Sequence, residues 1–344
     1  MRPDFLSAST ITTTAPERFH LNLTEVCSLH CRHCLTQAPQ KTVWREARSM
    51  SLSVLNVLLP WLHQARHLSL CHAGEPMLSP VFRPLLESLA LNERPPRVHL
   101  MSNGLILDEE RFVWLARHGV CSLVISVDGL SPETHDWLRV GSSIHKLERM
   151  LISLTAARSL HRLSVRLGIS WTVHRKNVQE LYALPDRARS WGIDAIKVEE
   201  LVATGPATNS LGPVPDSLLA PALAYLRQRC RELDLVFVDH TVIRQVRRCQ
   251  YRDSPELAEF IRGDDFINSD TIHFCRDPYD TVYVEPDGML KPISFHHRGA
   301  GNVLETPLLE LFNGEHFQAW RARVASARRC GVPPLCAGEP CELP

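Results

Sequence analysis

The chain lacks net charge. Its 38 basic residues balance 38 acidic ones over 344 positions, so no global field points to nucleic acid or to a membrane surface. It also lacks a long apolar run: nothing approaches the roughly 18–20 residues of a membrane span. Met1-Arg2-Pro3-Asp4 has no basic region leading into an apolar one, so no signal peptide is read there. Internal repeats and low-complexity tracts are missing as well. What remains is a chain that is 44% hydrophobic, enough for one large domain or for one domain with a smaller companion. These absences give the expectation of a soluble, cytoplasmic protein with no nucleic-acid and no membrane partner. In that compartment the eleven cysteines do not read as a disulfide framework. Several read instead as ligands or as small buried apolar residues.

Three of them stand together. Cys27, Cys31 and Cys34 follow Leu21-Asn22-Leu23-Thr24-Glu25-Val26 with the spacing C-x3-C-x2-C. Three soft thiolates on one short loop can converge on an iron–sulfur cluster. A cubane cluster has four irons, so three protein ligands leave one iron open to an outside ligand. Such a site suits chemistry rather than plain electron storage. The competing reading is a zinc site with His30 or His33 as fourth ligand. Zinc sites usually pair a C-x2-C knuckle with a second Cys/His pair, which this loop does not show.

The pattern along the chain alternates short β-rich runs with longer helical ones. Strands are expected at His20–Glu25, His67–Cys71, Arg97–Ser102, Ser122–Val127, Ser164–Val173 and Ala195–Leu201. Helices are expected at Leu52–Gln64, Val81–Ala90, Asp108–Arg117, Pro132–Leu138, Ile144–Arg158 and Val178–Trp191. Strand–helix alternation predicts an α/β fold with a parallel sheet, and six such units predict a partial, open (β/α)6 barrel of TIM type. Ligands gather at the C-terminal ends of the strands in such sheets, and the cysteine loop directly follows the first strand. The expected organisation is a lead-in over 1–19, a core over 20–201, a linker with additional helices over 202–270 and a small C-terminal unit over 271–344. Within that last unit, Val282 through Leu290 reads as a hairpin turning at Pro286-Asp287-Gly288.

The cysteine motif and its flanks resemble the radical S-adenosylmethionine (radical SAM) superfamily, over roughly residues 20–200. The resemblance implies a [4Fe-4S] cluster on Cys27, Cys31 and Cys34 whose open iron chelates SAM, and reductive cleavage of SAM to a 5′-deoxyadenosyl radical. His72-Ala73-Gly74-Glu75-Pro76, after the second strand, is similar to the family's Gly-Gly-Glu-Pro turn, with Ala73 as a departure. Gly74, Glu75 and Pro76 are thereby implied to hold the SAM amino group. Ser102-Asn103-Gly104 resembles a Thr-Asn-Gly turn and adds Asn103. Ser126-Val127-Asp128-Gly129 implies Ser126 on the SAM ribose, with Asp128 assisting there or facing the substrate. Arg139 stands where similar enzymes place an arginine on the SAM carboxylate, a group that a guanidinium fork fits. His33 stands where the family often has an aromatic near the adenine. Each strand-end residue alone is also ordinary turn chemistry; their order along the chain carries the resemblance.

The C-terminal segment resembles the SPASM/twitch extension. Cys275, Cys330, Cys336 and Cys341 supply four thiolates, enough for one auxiliary [4Fe-4S] cluster. Met289-Leu290-Lys291 stands where a further family cysteine is usual, which argues against two auxiliary clusters. A zinc site or buried thiols are the alternative. Cys71, Cys121, Cys230 and Cys249 read as core residues by default. Cys71 and Cys249 are also candidate hydrogen donors to a substrate radical.

The resemblance implies a flavodoxin- or ferredoxin-type electron donor. For the substrate, no extra N-terminal unit of the kind that grips a leader peptide is read, which leans toward a small molecule. The leading expectation is a sugar, aminocyclitol or nucleoside in antibiotic biosynthesis, oxidised, with epimerisation or decarboxylation as other outcomes. A peptide- or protein-modifying SPASM enzyme is the first alternative, and a non-catalytic zinc or Cys-rich binding protein the second. Glu199-Glu200 and Asp264-Asp265 suit a cationic amino sugar but read more simply as solvated faces or caps.

Overall fold

The computed structural model describes residues 10–201, 209, 211–241, 277–292, 295 and 298–329. Strands alternate with helices from the start. In chain order they are β1 (Arg18–Leu21), α1 (Ala38–Val43), α2 (Leu52–Leu62), β2 (His67–Leu70), α3 (Phe82–Ala90), β3 (Arg97–Ser102) and α4 (Glu109–Arg117). There follow β4 (Val120–Ser126), α5 (Ile144–Leu160), β5 (Arg166–Val173), α6 (Leu184–Ser190), β6 (Ala195–Glu200), α7 (Asp216–Glu232) and β7 (Val236–Asp239). The C-terminal part adds α8 (Asp277–Asp280), β8 (Thr281–Val284), β9 (Met289–Lys291), β10 (Gly301–Asn302), α9 (Leu308–Phe312) and α10 (Glu315–Arg329).

The helices form because their apolar residues recur at three and four positions. Leu147, Leu151, Leu154 and Ala157 give α5 one buried face, and Val54, Leu55, Leu58 and Leu62 do so for α2. Ser51 caps α2 by accepting from Val54 N, and Asp108 caps α4 by accepting from Arg111 N at 2.8 Å. These faces cover one side of the sheet, where Leu21, Leu70, Leu100, Leu123, Ile125, Leu167, Ile169 and Ile196 are fully buried.

The ten strands among the described residues form one sheet in the order β10-β9-β8-β1-β2-β3-β4-β5-β6-β7. The pairs from β8 through β1 to β7 are parallel, while β9 and β10 join antiparallel. The side of the sheet away from the helices is polar. Tyr283, His20, Ser69 and His99 are cross-strand neighbours in register, so they share one face. On that face His20 stacks on Tyr283 at 4.4 Å, and His99 Nδ1 meets Ser122 Oγ at 2.6 Å.

The parallel core expected from the sequence is present, and two strands extend it. β7, with α7 ahead of it, lies within the segment expected to hold a linker and additional helices. β8 opens the part expected to be a separate unit, yet pairs along its length with β1. The expected boundaries at 201/202 and 270/271 are therefore not breaks in the sheet. The first strand also ends earlier than expected. After Leu21 the chain leaves the sheet: Glu25 N donates to Arg48 O and Glu75 N to Val26 O, which builds the loop carrying the cysteines. Among the described residues, no helix is long and apolar enough to cross a membrane.

Candidate active site

A cavity of about 580 Å³ opens at the C-terminal ends of the parallel strands. Cys27, Cys31 and Cys34 line one side of it, and Glu199, His240 and Thr241 the other. Those two walls follow β1 and β6–β7. In a flat sheet six strand spacings separate β1 from β7 by roughly 30 Å, far more than such a cavity spans. The sheet is therefore curled around the cavity, and open at its edges, β10 and β7.

The cysteine loop is held from several directions. His30 N and Arg32 N donate to Val140 O and Leu138 O at 2.8 and 2.9 Å, and Leu29 is fully buried as a plug beneath. Cys27 N donates to Thr42 Oγ1 at 3.0 Å, which ties the loop to α1. Burial pushes the Cys27 thiol up, and that of Cys31 up to about 11; thiolates form in such a place when a cation takes up the charge. Donors are already aimed at the sulfurs. Asn103 Nδ2 lies 3.9 Å from Cys27 Sγ, Arg139 Nη1 lies 3.9 Å from Cys31 Sγ, and Thr36 Oγ1 sits 3.4 Å from Cys34 Sγ. Hydrogen bonds to sulfur are a recognised control of cluster potential.

The Gly74 turn docks directly on this loop. Gly74 has φ +62, and a Cβ there would lie 2.5 Å from both Thr24 O and Val26 O. Glu75 is 1% exposed. Its Oε2 accepts from Asn103 N at 2.8 Å and Ser102 Oγ at 3.1 Å, so the carboxylate joins two strand-end turns. Its Oε1 is buried with no donor among the described residues, and burial raises the carboxyl to about 7. A cationic ligand donor would satisfy that oxygen. Gly74, Pro76, Asn103, Ser126 and Arg139 line the cavity; Glu75 stands just behind its wall.

Asp128 also stands behind the wall, so of the two expected roles, assisting at the ribose or facing the substrate, its position leaves it to act through the groups it holds. It is fully buried. Oδ1 accepts from Thr172 N at 2.6 Å, while Oδ2 pairs with Arg139 Nε and lies 3.3 Å from His33 Nε2. Burial would raise this carboxyl, but Arg139 and His33 hold it far below the usual carboxylate range. His33 and Arg139 are thus both cavity residues and both anchored on Asp128.

Cys71 lines the cavity, its sulfur 3.3 Å from Ser69 Oγ, and burial raises its thiol. Cys230 belongs to the core, as expected, and Cys121 Sγ donates to Val98 O at 3.4 Å. Cys249, Cys275, Cys330, Cys336 and Cys341 lie outside the described residues, as do Asp264 and Asp265. The sequence reading missed His72. It lines the cavity in a left-handed conformation, φ +104, with its ring stacked on Phe295 at 4.1 Å. Glu199, read as a solvated face or cap or as a partner for a cationic sugar, keeps a side chain 37% exposed. It lines the cavity and pairs with Lys197 at 2.8 Å, and Lys197 holds its carboxyl below the usual range. The available signal for His72 was its place just past the end of β2.

Among the described residues, no three Cys, His, Asp or Glu side chains are gathered closely enough to hold a single metal ion. A cubane cluster takes each thiolate on a different iron and so asks for a wider spread. The donor set fits such a cluster: three thiols around one cavity, donors near each sulfur, and an orphan acceptor in Glu75 beside them.

Comparison with known proteins agrees. The family model described as the radical SAM superfamily matches residues 21–170; SAM and a [4Fe-4S] cluster are characteristic of that family. An AdoMet-dependent heme synthase of Methanosarcina barkeri (strain Fusaro / DSM 804) is 25% identical over 342 residues, 95% of this chain and 91% of that protein. The PqqA peptide cyclase of Streptomyces rochei is 28% identical over 316 residues, 89% of this chain and 78% of its own length. The fold is similar to that of Streptococcus suis SuiB bound to its precursor peptide SuiA, with TM-score 0.63 and 15% identity over 91% of this chain and 67% of SuiB.

Proposed function

We propose that the chain, whose residues 21–170 match the radical SAM superfamily, works as a radical SAM enzyme, that Cys27, Cys31 and Cys34 hold a SAM-binding [4Fe-4S] cluster and that the cavity beside them takes SAM and the reacting part of a substrate. The observation that carries this is the convergence of all three cysteines with Gly74, Asn103, Ser126 and Arg139 on one cavity. When bound, the cluster and SAM supply a 5′-deoxyadenosyl radical, which takes a hydrogen atom from an unactivated C–H bond.

The chain's own residues bind and orient. Glu75 Oε1 is the acceptor for the SAM ammonium, and Arg139 offers its guanidinium to the carboxylate while Asp128 fixes its direction. Asn103 is locked by accepting from Leu105 N through Oδ1, so its Nδ2 stays turned toward Cys27 and Ser28. Ser126 serves the ribose. The Glu199, His240 and Thr241 wall faces the substrate, and Cys71 on the same cavity is the candidate hydrogen donor.

For the substrate class we place a peptide ahead of the sugar or aminocyclitol expected from the sequence. Support comes from relatives named for peptides, the PqqA peptide cyclase and SuiB with SuiA. The likeness to a heme synthase supports a small molecule as the second reading. Cytoplasmic location, a flavodoxin- or ferredoxin-type electron donor, oxidation as the outcome and an auxiliary cluster on Cys275, Cys330, Cys336 and Cys341 belong to the same proposal.

The test is iron, sulfide and 5′-deoxyadenosine after anaerobic reconstitution, in wild type and in a Cys27/Cys31/Cys34→Ala variant. We expect about eight irons falling to about four, with 5′-deoxyadenosine lost. Retained 5′-deoxyadenosine in the triple variant overturns the assignment. Stimulation of SAM cleavage by a short peptide rather than a glycoside separates the two substrate classes.

A further inference from the structure

We propose that Arg32, Arg175 and Lys176, gathered around Trp137, form the docking surface for an acidic protein that delivers single electrons to the cysteine loop. The inference rests on the reading above that Cys27, Cys31 and Cys34 hold a reducible cluster, and it says where the electron enters.

Loops that follow β1, β4 and β5 meet at this place. Arg32 stands between Cys31 and Cys34 in sequence and is exposed, while Cys31 and His33 on either side of it line the cavity. Its Nε donates to Trp137 O at 2.9 Å, and its guanidinium lies over the Trp137 ring, 5.1 Å from the centroid. Lys176 Nζ lies over the same ring at 3.8 Å. Arg175, beside it, is tied to the next loop by Nε donating to Pro213 O at 3.0 Å. All three cations are exposed, and none pairs with a carboxylate among the described residues. The adjoining stretch 202–215 contains no Asp or Glu. A chain with no net charge thus carries a local cationic patch on its cysteine loop.

Like charges held together repel, and a partner with an acidic face relieves that repulsion and is steered to it. The indole holds Arg32 and Lys176 in place through cation–π contacts, so less side-chain freedom is lost when a partner docks. Tryptophan and arginine are also the residues that most often anchor protein interfaces. Position selects an electron carrier over a substrate. None of Arg32, Trp137, Arg175 and Lys176 lines the cavity that takes the substrate. Arg32 directly follows Cys31, and consecutive Cα atoms are about 3.8 Å apart, so a carrier seated on Arg32 comes close to the thiolates from outside. Electron transfer through protein weakens steeply with distance, which makes such closeness decisive. The step balances simply: the reduced carrier loses one electron, the oxidised cluster gains it, and no bond forms or breaks.

The test is anaerobic stopped-flow reduction of the reconstituted holoprotein, with no substrate present. The probe is a reduced acidic flavodoxin, and dithionite is the small reductant that needs no docking surface. Arg175→Glu/Lys176→Glu is expected to take electrons from flavodoxin about tenfold more slowly than wild type at low salt, and to lose most of the wild-type salt dependence. Calorimetry with oxidised flavodoxin, in which no electron moves, is expected to show binding weakened about tenfold. Arg94→Glu/Arg189→Glu changes net charge equally on exposed residues ahead of β3 and β6, at the other end of the strands, and is expected to match wild type. Equal bleaching by dithionite shows that all three proteins keep their cluster. A patch variant with wild-type rate and affinity overturns the proposal, as does a control variant that slows as much. If the patch variant loses its cluster, the calorimetric comparison decides. A wild type that dithionite cannot bleach overturns the cluster reading itself.

Discussion

Arg48 clamps Glu25 from two nitrogens, Nε to Oε2 and Nη2 to Oε1, both at 3.0 Å, two residues before the first cysteine of the motif. Lys41 Nζ adds a third contact to the same carboxylate at 2.7 Å, and Arg48 Nη1 reaches Asp287 at 2.6 Å in the β8–β9 turn. The base of the cysteine loop is thus tied to α1 and to the C-terminal hairpin through one buried carboxylate. Glu25 is buried but Arg48 is 45% exposed on its side chain, so the pair is worth less than a fully buried one. Arg48→Met is expected to cost about 1–2 kcal/mol by urea unfolding. It is also expected to lower iron retention after desalting, because the loop loses one anchor. Unchanged iron retention would show that Lys41 suffices.

Gly74 tolerates no side chain. Its φ of +62 disfavours other residues, and the Cβ of Gly74→Ala would sit 2.5 Å from two carbonyl oxygens of the β1 exit. Since backbone must shift to relieve the clash, a loss of about 2 kcal/mol or more is expected. Weakened SAM binding should accompany it, because the turn carries Glu75. A thermal melt and a SAM titration check both. A melt within a degree of wild type would mean that the turn can move away.

His99 makes the fold acid-sensitive. It is buried on the inner face of the sheet against Ser122, and burial, with Lys197 adding to it, lowers its pKa from 6.5 to about 4. The folded state therefore takes up the proton less readily than the unfolded one. Stability is complete above pH 6.5 and falls as pH drops toward 4, by roughly 3 kcal/mol for such a shift. His99→Gln is expected to flatten that part of the curve, measured by urea midpoints between pH 7 and 4. A wild-type curve that stays flat over this range would refute the neutral buried ring.

Arg321 is a buried cation with no carboxylate partner among the described residues. It donates to Pro278 O and Phe312 O at 2.7 Å, and to Thr10 O and Asn313 Oδ1 at 2.9 Å. The rings of Phe312, Phe317 and Tyr279 surround it, and burial lowers its pKa to about 10. Arg321→Leu takes the donor from three carbonyls, Thr10 O, Pro278 O and Phe312 O, in the N-terminal segment, α8 and α9, while Asn313 Oδ1 keeps Thr12 N at 2.9 Å. A loss of about 3 kcal/mol is expected, since each orphaned acceptor costs about 1 kcal/mol or more and relaxation recovers part. SAM affinity should not change, since Arg321 is not among the cavity residues. A loss of SAM affinity without a loss of stability would contradict that separation.

Much of this protein is local in origin and so legible in the sequence. The cysteine spacing, the alternation of strand and helix, and the turns at Gly74, Asn103 and Ser126 are set by neighbours a few residues away. β3 was read with its observed bounds, and the helices from α2 to α5 nearly so. What the sequence could not carry is long-range. β8 pairs with β1 across some 260 residues, and a local pattern holds no register for such a contact. Whether Asp128 faces the cavity or the interior depends on His33 and Arg139, which approach it from two different segments. Glu75 reads as a ligand by motif, but its place between Ser102 and Asn103 follows from the next strand over. The sequence by itself determined which chemistry the loop can host, because ligand type and spacing are covalent facts. Only the tertiary structure decided which side chains touch the cavity and which aim the others, because that depends on how the sheet curls.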